Sequence, residues 1–302
     1  MPNAKLKHYL HLHLLVFIAG FTAILGKKIS IGSSPLVWYR MVIAAILMFL
    51  FIKLTKINIK VSKKAILQFS AAGIIIALHW VTFFESIKQS NVSIALAMFS
   101  SGAFFASFIE PIFFKRRIQA YEIIFGVVVV LGVSLILNSE LKYINGIVLG
   151  LLSALFSTLF AVVNGRFIER HKATVISFYE FISGVLFLTV FIYFSGTNFD
   201  ERFFLLSNED WIYLFILASV CTAYAFIGAV EVMRYISPFT VILSYNLEPV
   251  YGIILALIFF PESEKMSPQF YIGALVIIVT LILDALFKNY KRRKQKTSSI
   301  TN

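Results

Sequence analysis

Gly146-Ile-Val-Leu-Gly-Leu-Leu-Ser-Ala-Leu-Phe-Ser-Thr-Leu-Phe-Ala-Val-Val-Asn-Gly165 runs for 20 residues without one ionisable side chain. As a helix rising about 1.5 Å per residue it is about 30 Å long, the thickness of a bilayer's hydrocarbon core. Lipid offers no partner to free backbone groups, so a lipid-embedded segment of this kind is helical. Nine further segments share its character. The predicted spans, in order, are Tyr9–Gly26, Pro35–Leu54, Ala65–Ile87, Asn91–Phe114, Tyr121–Asn138, Gly146–Gly165, Thr174–Phe194, Trp211–Met233, Pro238–Phe260 and Gln269–Phe287. Hydrophobic residues make up 59% of the 302 and charged residues 14%, more apolar surface than a soluble domain of this size can bury.

The ten spans fall into two sets of five. Five is odd, so the second set enters the bilayer from the side opposite the first, the architecture of alternating-access carriers. The fold class expected is therefore an all-α integral membrane protein with ten transmembrane helices as two inverted five-helix repeats. The first covers 1–138 and the second 139–287, and 288–302 forms a basic tail. Sliding the chain by 146 residues lays Phe83–Phe114 on Ala229–Phe260 without a gap, bringing Glu85 onto Glu231, Lys88 onto Arg234 and Phe113-Phe114 onto Phe259-Phe260. A slide of 147 lays Gly126 on Gly273. The order of features, rather than the few identities, supports the repeat.

A net charge of +12 suggests nucleic acid at first sight. The cations instead cluster in short loops and at the termini, as membrane topology requires. With both termini on one side, that side holds 20 of the 27 Lys and Arg and the other holds 6, Arg40 lying within a span. The split predicts cytoplasmic termini in the cell (inner) membrane. The first span, following Lys5 and Lys7, has no clear small-x-small cleavage site and is expected to be a retained helix rather than a signal peptide. One cysteine, Cys221, excludes an internal disulfide and any cysteine-built metal cage. No metal or other cofactor is expected.

Pro35-Leu-Val-Trp-Tyr-Arg40, Tyr235-Ile-Ser-Pro-Phe-Thr-Val241 and Leu247-Glu-Pro-Val-Tyr-Gly-Ile253, continuing to Phe260-Pro-Glu-Ser-Glu264 and Gly273, resemble EamA-type permeases of the drug/metabolite transporter superfamily. The resemblance spans essentially the whole chain and is better in the second half. It implies a ten-helix carrier around a central cavity, with the fifth and tenth helices peripheral, moving amino acids and other small metabolites, often outward. The fourth span departs from the pattern, with Phe99-Ser-Ser-Gly-Ala-Phe104 where the ninth has its proline segment.

Charges inside spans need a partner, water or a role, because each costs roughly 2.5–3.5 kcal/mol to insert at mid-membrane. Arg40 binds an anionic substrate group or acts as a structural clamp, with Glu85 its expected counter-ion. Glu180 and Glu231 are proton or charge-coupling candidates, with local pairing to Arg234 as the alternative. Glu248 stands out at the middle of the ninth span, where Pro249 is expected to free the carbonyl of Tyr245, and Asn246 and Tyr245 add polar groups. A carboxylate there suits an ammonium group or a proton; a kink with Glu248 bonded to a neighbouring helix is the competing account. His79 relays protons or bonds across helices, and Trp80 offers a stacking face. Trp38 and Trp211 are expected at the interface.

These features predict a secondary transporter of small organic metabolites, with a small molecule and lipid as its partners. No G-x-x-x-x-G-K-[ST] loop is present to make ATP the direct driver. An intramembrane enzyme or a channel is the alternative; neither H-E-x-x-H nor G-x-S-x-G occurs, so an enzyme is not expected.

Overall fold

The computed structural model describes residues 6–115, 117–196, 199–232, 235–236, 241, 244–245 and 247–298. Secondary structure among them is helical throughout. The elements that frame the site begin with α1 (Leu6–Lys28), α2 (Ser33–Leu54), α3 (Lys63–Gln89), α4 (Val92–Phe99), α5 (Gly102–Phe114) and α6 (Ala120–Ser139). After a 3-10 turn come α7 (Ile144–Phe167), α8 (Ala173–Phe194), α9 (Glu201–Phe204), α10 (Asn208–Ala218), a π segment (Ser219–Tyr224) and α11 (Ala225–Val232). The chain ends on α12 (Glu248–Phe259) and α13 (Pro268–Ser298). Eight candidate spans are long and apolar enough to cross a membrane, and the shorter apolar helices Glu248–Phe259 and Pro268–Asp284 follow them.

Side chains sort as lipid immersion demands. Ile46, Leu67, Leu131, Leu186, Val190 and Leu275 face outward, while Arg40, His79, Ser153, Glu180 and Thr222 are buried. Segment starts are set by short polar side chains that satisfy the first helical N–H groups. Ser62 Oγ accepts from Ala65 N at the head of α3, and Asn91 Oδ1 accepts from Ile94 N at the head of α4. Ser207 Oγ accepts from Asp210 N at the head of α10.

Three of the expected continuous helices are interrupted or shifted. The fourth breaks at Ser100-Ser101, where Ser101 N bonds the Met98 carbonyl three residues back at 3.0 Å and both hydroxyls turn onto backbone carbonyls. Serine hydroxyls compete with the helical ladder in this way. The eighth contains the π segment. In the ninth, α12 starts at Glu248, so Pro249 occupies the first turn instead of kinking a helix interior. A residue without an N–H is tolerated there because first-turn donors have no intrahelical partner. Pro238 and Asn246 lie outside the described residues.

Packing brings the two halves of the chain together along most of their length. α3 lies against α7 and α8, α2 against α8 and α10, α1 against α11 and α12, α4 against α7 and α12, and α6 against α13. Glycines permit the closest of these approaches. A Cβ on Gly132 would sit 3.1 Å from the Gly273 carbonyl oxygen, and one on Gly273 would sit 2.8 Å from that of Gly132. At the α3–α8 crossing, a Cβ on Gly73 would sit 2.3 Å from the Glu180 carbonyl oxygen.

Gly73→Ala is therefore expected to lower stability by about 1–3 kcal/mol, since backbone cannot give way as a side-chain tip does. Gly165→Ala, whose Cβ would meet only the Phe114 ring at 3.8 Å, is expected to be neutral or stabilising by up to about 1 kcal/mol. Thermal unfolding of the two variants in detergent checks the contrast in sign.

Candidate functional site

Arg40 decides the geometry of the interior. It sits two turns into α2 at 3% exposure, and its guanidinium carbon lies 3.8 Å from the centroid of the Trp80 ring on α3. A guanidinium over an indole face is a favourable cation–π arrangement, strengthened where water is excluded. Nε donates to Thr222 Oγ1 at 2.8 Å. Nη1 is buried with no hydrogen-bond partner among the described residues.

Thr222 reaches Arg40 from the π segment, whose wider turn inserts an extra residue into the helix. Its hydroxyl donates to the carbonyl of Leu217, five residues back, at 2.8 Å. Single π turns of this kind are frequent at functional sites, where they re-aim a side chain without ending the helix. Cys221 beside it faces the same space.

That space is a cavity of about 340 Å³, within the range of small-molecule sites. Arg40, Trp80, His79, Tyr245 and Glu248 all line it, between aromatic walls that include Phe83, Phe99 and Phe160. His79 Nδ1 lies 3.0 Å from the Ser153 carbonyl and 2.9 Å from its hydroxyl. A carbonyl partner places the proton on Nδ1 and leaves Nε2 as the acceptor nitrogen. The His79 ring also stacks on Phe99, with centroids 5.4 Å apart. Glu248 is the carboxylate that shares the cavity lining with Arg40, without a hydrogen bond between the two. α12 presents it beside α1, where Gly20 leaves room: a Cβ there would lie 3.0 Å from the Glu248 carbonyl oxygen.

Five of the candidate residues thus converge, and three of the described ones do not join them. Glu85, expected beside Arg40, instead accepts from Ser33 Oγ at 2.5 Å and from Gln89 Nε2 at 2.9 Å at the end of α3. It lies a turn and more along α3 from Trp80, and those neutral donors satisfy it locally. Glu180 is buried and accepts from Asn164 Nδ2 at 2.8 Å, one turn from the cavity-lining Ser177. Glu231 is half-buried on α11 and outside the lining. Asn246 lies outside the described residues. Trp38, expected at the interface, donates to Thr189 Oγ1 at 2.9 Å and ties α2 to α8. Thr222 and Ser153 were not legible as site residues; the signal for Thr222 was the small polar run Ser219-Val-Cys-Thr in the middle of an apolar span. Among the described residues no group of His, Cys, Asp or Glu could hold a metal ion.

The EamA-like transporter family matches residues 6–138 and again 144–284, nearly the whole chain in two copies. The chain belongs to this family. It is thereby a multi-pass membrane protein of a transporter family that handles small molecules in a lipid setting. A relative from Bacillus subtilis (strain 168), the uncharacterized transporter YxxF, is 23% identical over 250 residues, covering 80% of this chain and 75% of the relative. The crystal structure of a protein 11% identical to this chain shares the fold at a TM-score of 0.64, over 93% of this chain and 98% of its own.

Thr222→Val is expected to destabilise the protein by about 1–3 kcal/mol, because it leaves a second guanidinium nitrogen buried and unsatisfied. Thr222→Ser, which keeps the acceptor oxygen, is expected to recover most of that loss. Thermal midpoints of the two purified variants distinguish the hydrogen bond from mere packing.

Proposed function

We propose that this protein is a secondary transporter that moves small organic metabolites, amino acids among them, by alternating access. The observation that carries the proposal is a cavity in which one half of the chain supplies a cation and the other a carboxylate. Arg40 and Trp80 come from the first half; Glu248, Tyr245 and Cys221 come from the second. Arg40 Nη1 takes an anionic group on the substrate, Glu248 takes an ammonium group or a proton, and Trp80 and His79 hold the apolar body. Asn246 is proposed to add a polar contact next to Tyr245. Glu180, buried one turn from the lining, and Glu231 are proposed as charge-coupling groups. Glu85 takes that role only through Ser33 at the end of the bundle.

Ten transmembrane helices in two inverted units, 1–138 and 139–287, supply the moving parts, with 288–302 as a basic tail. Two observations favour this arrangement. Exchanging α1 with α7, α2 with α8, α3 with α10–α11 and α4 with α12 turns the α3–α7 packing into α1–α11 and the α3–α8 packing into α2–α10. It also returns α2–α8 and α4–α12 to themselves. Second, the turn in which Ser101 N bonds Met98 O has its counterpart 146 residues on, where Leu247 N bonds Ser244 O at 3.0 Å. Interrupted helices at matching positions of two halves are where carriers place their ligands.

The cavity lining reaches Ala173 and Thr174 at the start of α8, whereas toward the opposite end it stops at Thr22, Arg40 and Phe83. The distribution of Lys and Arg favours the cytoplasm of the cell (inner) membrane for the α8 start, together with both termini. The cavity therefore corresponds to an inward-facing state.

Glu248→Ala is expected to cut flux at least about a hundredfold, from loss of the carboxylate that faces Arg40 in the cavity, while membrane insertion stays normal. The assay is uptake into proteoliposomes of whichever amino acid, nucleoside or amine most raises the thermal midpoint of the purified protein. Unchanged flux would remove Glu248 from the site and with it this reading.

A further inference from the structure

The end of the bundle remote from the cavity's opening is tied shut by acidic side chains, and one of them holds three cavity-lining helices at once. Glu264, in the connection between α12 and α13, is fully buried. Its Oε1 accepts from Lys27 Nζ at 2.6 Å and from Val92 N at 3.0 Å, and its Oε2 accepts from Ser93 N at 2.8 Å. Lys27 is the last turn of α1, and Val92 and Ser93 are the first residues of α4. One carboxylate from the second half thus neutralises a cation of the first half and caps free N–H groups of a first-half helix. Both are charge-assisted hydrogen bonds, about twice as strong as neutral ones. Lys27 Nζ also donates to Ser263 Oγ at 2.6 Å and lies 4.5 Å from the centroid of the Phe260 ring. Asn91, the cap of α4, donates from Nδ2 to the Ser263 carbonyl at 3.3 Å.

The helices gathered here are the ones that must separate for the cavity to open at this end: α1 carries Thr22, α4 carries Phe99 and α12 carries Glu248. A second carboxylate closes the neighbouring seam, Asp210 of α10 accepting from Ser30 N at 2.7 Å and from Ser30 Oγ at 2.6 Å. The far end is joined differently. There Tyr179 OH donates to the Ile59 carbonyl at 3.1 Å, Arg166 donates to the Phe113 carbonyl, and Glu180 accepts from the neutral amide of Asn164 at 2.8 Å. Continued beyond the matched stretch, the slide of 146 residues lays Asp210 on Lys64 and Glu264 on Ile118, so neither latching acid has an acidic counterpart.

We propose that Glu264, with Lys27 and the N-terminus of α4, is the gate latch of the Lys27 end: alternating access requires these contacts to break, and their strength sets how often that end opens. The latch extends the transport reading above by assigning it a gate, yet its test needs no substrate. Cys221 is the single cysteine of the chain and lines the cavity, so an impermeant cationic methanethiosulfonate reports access from each face of a vesicle. A Lys142→Cys, Cys221→Ala chain marks which face is the Lys27 end, Lys142 being exposed there.

In the parent protein, Cys221 is expected to react from the opening near α8 and to be protected from the Lys27 face. Glu264→Gln, which keeps the shape and loses the charge, is expected to speed labelling from the Lys27 face at least about tenfold. Lys27→Gln, at a partly exposed side chain, is expected to act in the same direction, with Glu264 still held by the N–H groups of Val92 and Ser93. Arg166→Gln at the far end is expected to leave labelling from the Lys27 face unchanged. Rates from the Lys27 face that stay at the parent value in both Glu264→Gln and Lys27→Gln would overturn the latch. Equal labelling of the parent protein from both faces would overturn it too. Absence of flux with this labelling pattern intact would count against the transport reading alone.

Discussion

A guanidinium buried in an apolar bundle has to be stabilised in place, and the interior of this protein is arranged around that requirement at Arg40. Insertion of such a group costs roughly 2.5–3.5 kcal/mol even with relaxation. Three elements share the offset: the Trp80 face on α3, the Thr222 hydroxyl delivered by the π segment, and the charge of Glu248 at the head of α12. Each of these demands a departure from a regular helix or a close crossing. The π turn aims Thr222, Pro249 fixes where α12 begins, and Gly20 lets α1 approach the backbone that carries Glu248. The cavity is the space these departures leave, and the unpaired Nη1 is the valence that a ligand would complete.

Polar material is distributed unevenly along the bundle axis. Carboxylates with multiple donors, Glu264 and Asp210, hold one end, while contacts at the other include the Ile59 and Phe113 carbonyls and the single Asn164–Glu180 bond. Backbone-to-backbone crossings at Gly73 and at the Gly132–Gly273 pair lie between and beside them. Small-residue crossings keep helices in contact through van der Waals packing, which changes little when one helix tilts on another. The ionic contacts at the Lys27 end have no such latitude. Opening there is a discrete event of bond breaking.

Hydropathy located eight candidate spans and the two shorter apolar helices that follow them, because a lipid-facing surface must be apolar and that signal dominates the sequence. Polar and aromatic residues inside the spans singled out Arg40, His79, Trp80, Tyr245 and Glu248, and these are the residues that meet in the cavity. What the sequence did not carry was backbone irregularity. Ser100-Ser101 and Ser219–Tyr224 read as unbroken apolar helix, since a hydroxyl turning onto a carbonyl leaves the pattern of hydrophobic residues untouched. Pairing was equally hidden. Glu85 was the nearest acid along the first half, yet the carboxylate that shares the cavity with Arg40 is Glu248, more than 200 residues away, because the two halves interleave.

The central claim is that Arg40 and Glu248 stabilise one another across the cavity. A double-mutant cycle on thermal stability in detergent tests it without reference to any substrate: Arg40→Leu, Glu248→Leu, and the two together. Mutual compensation predicts that the double variant is more stable than at least one single variant, because removing both charges leaves neither one buried alone. Strictly additive losses would contradict the account.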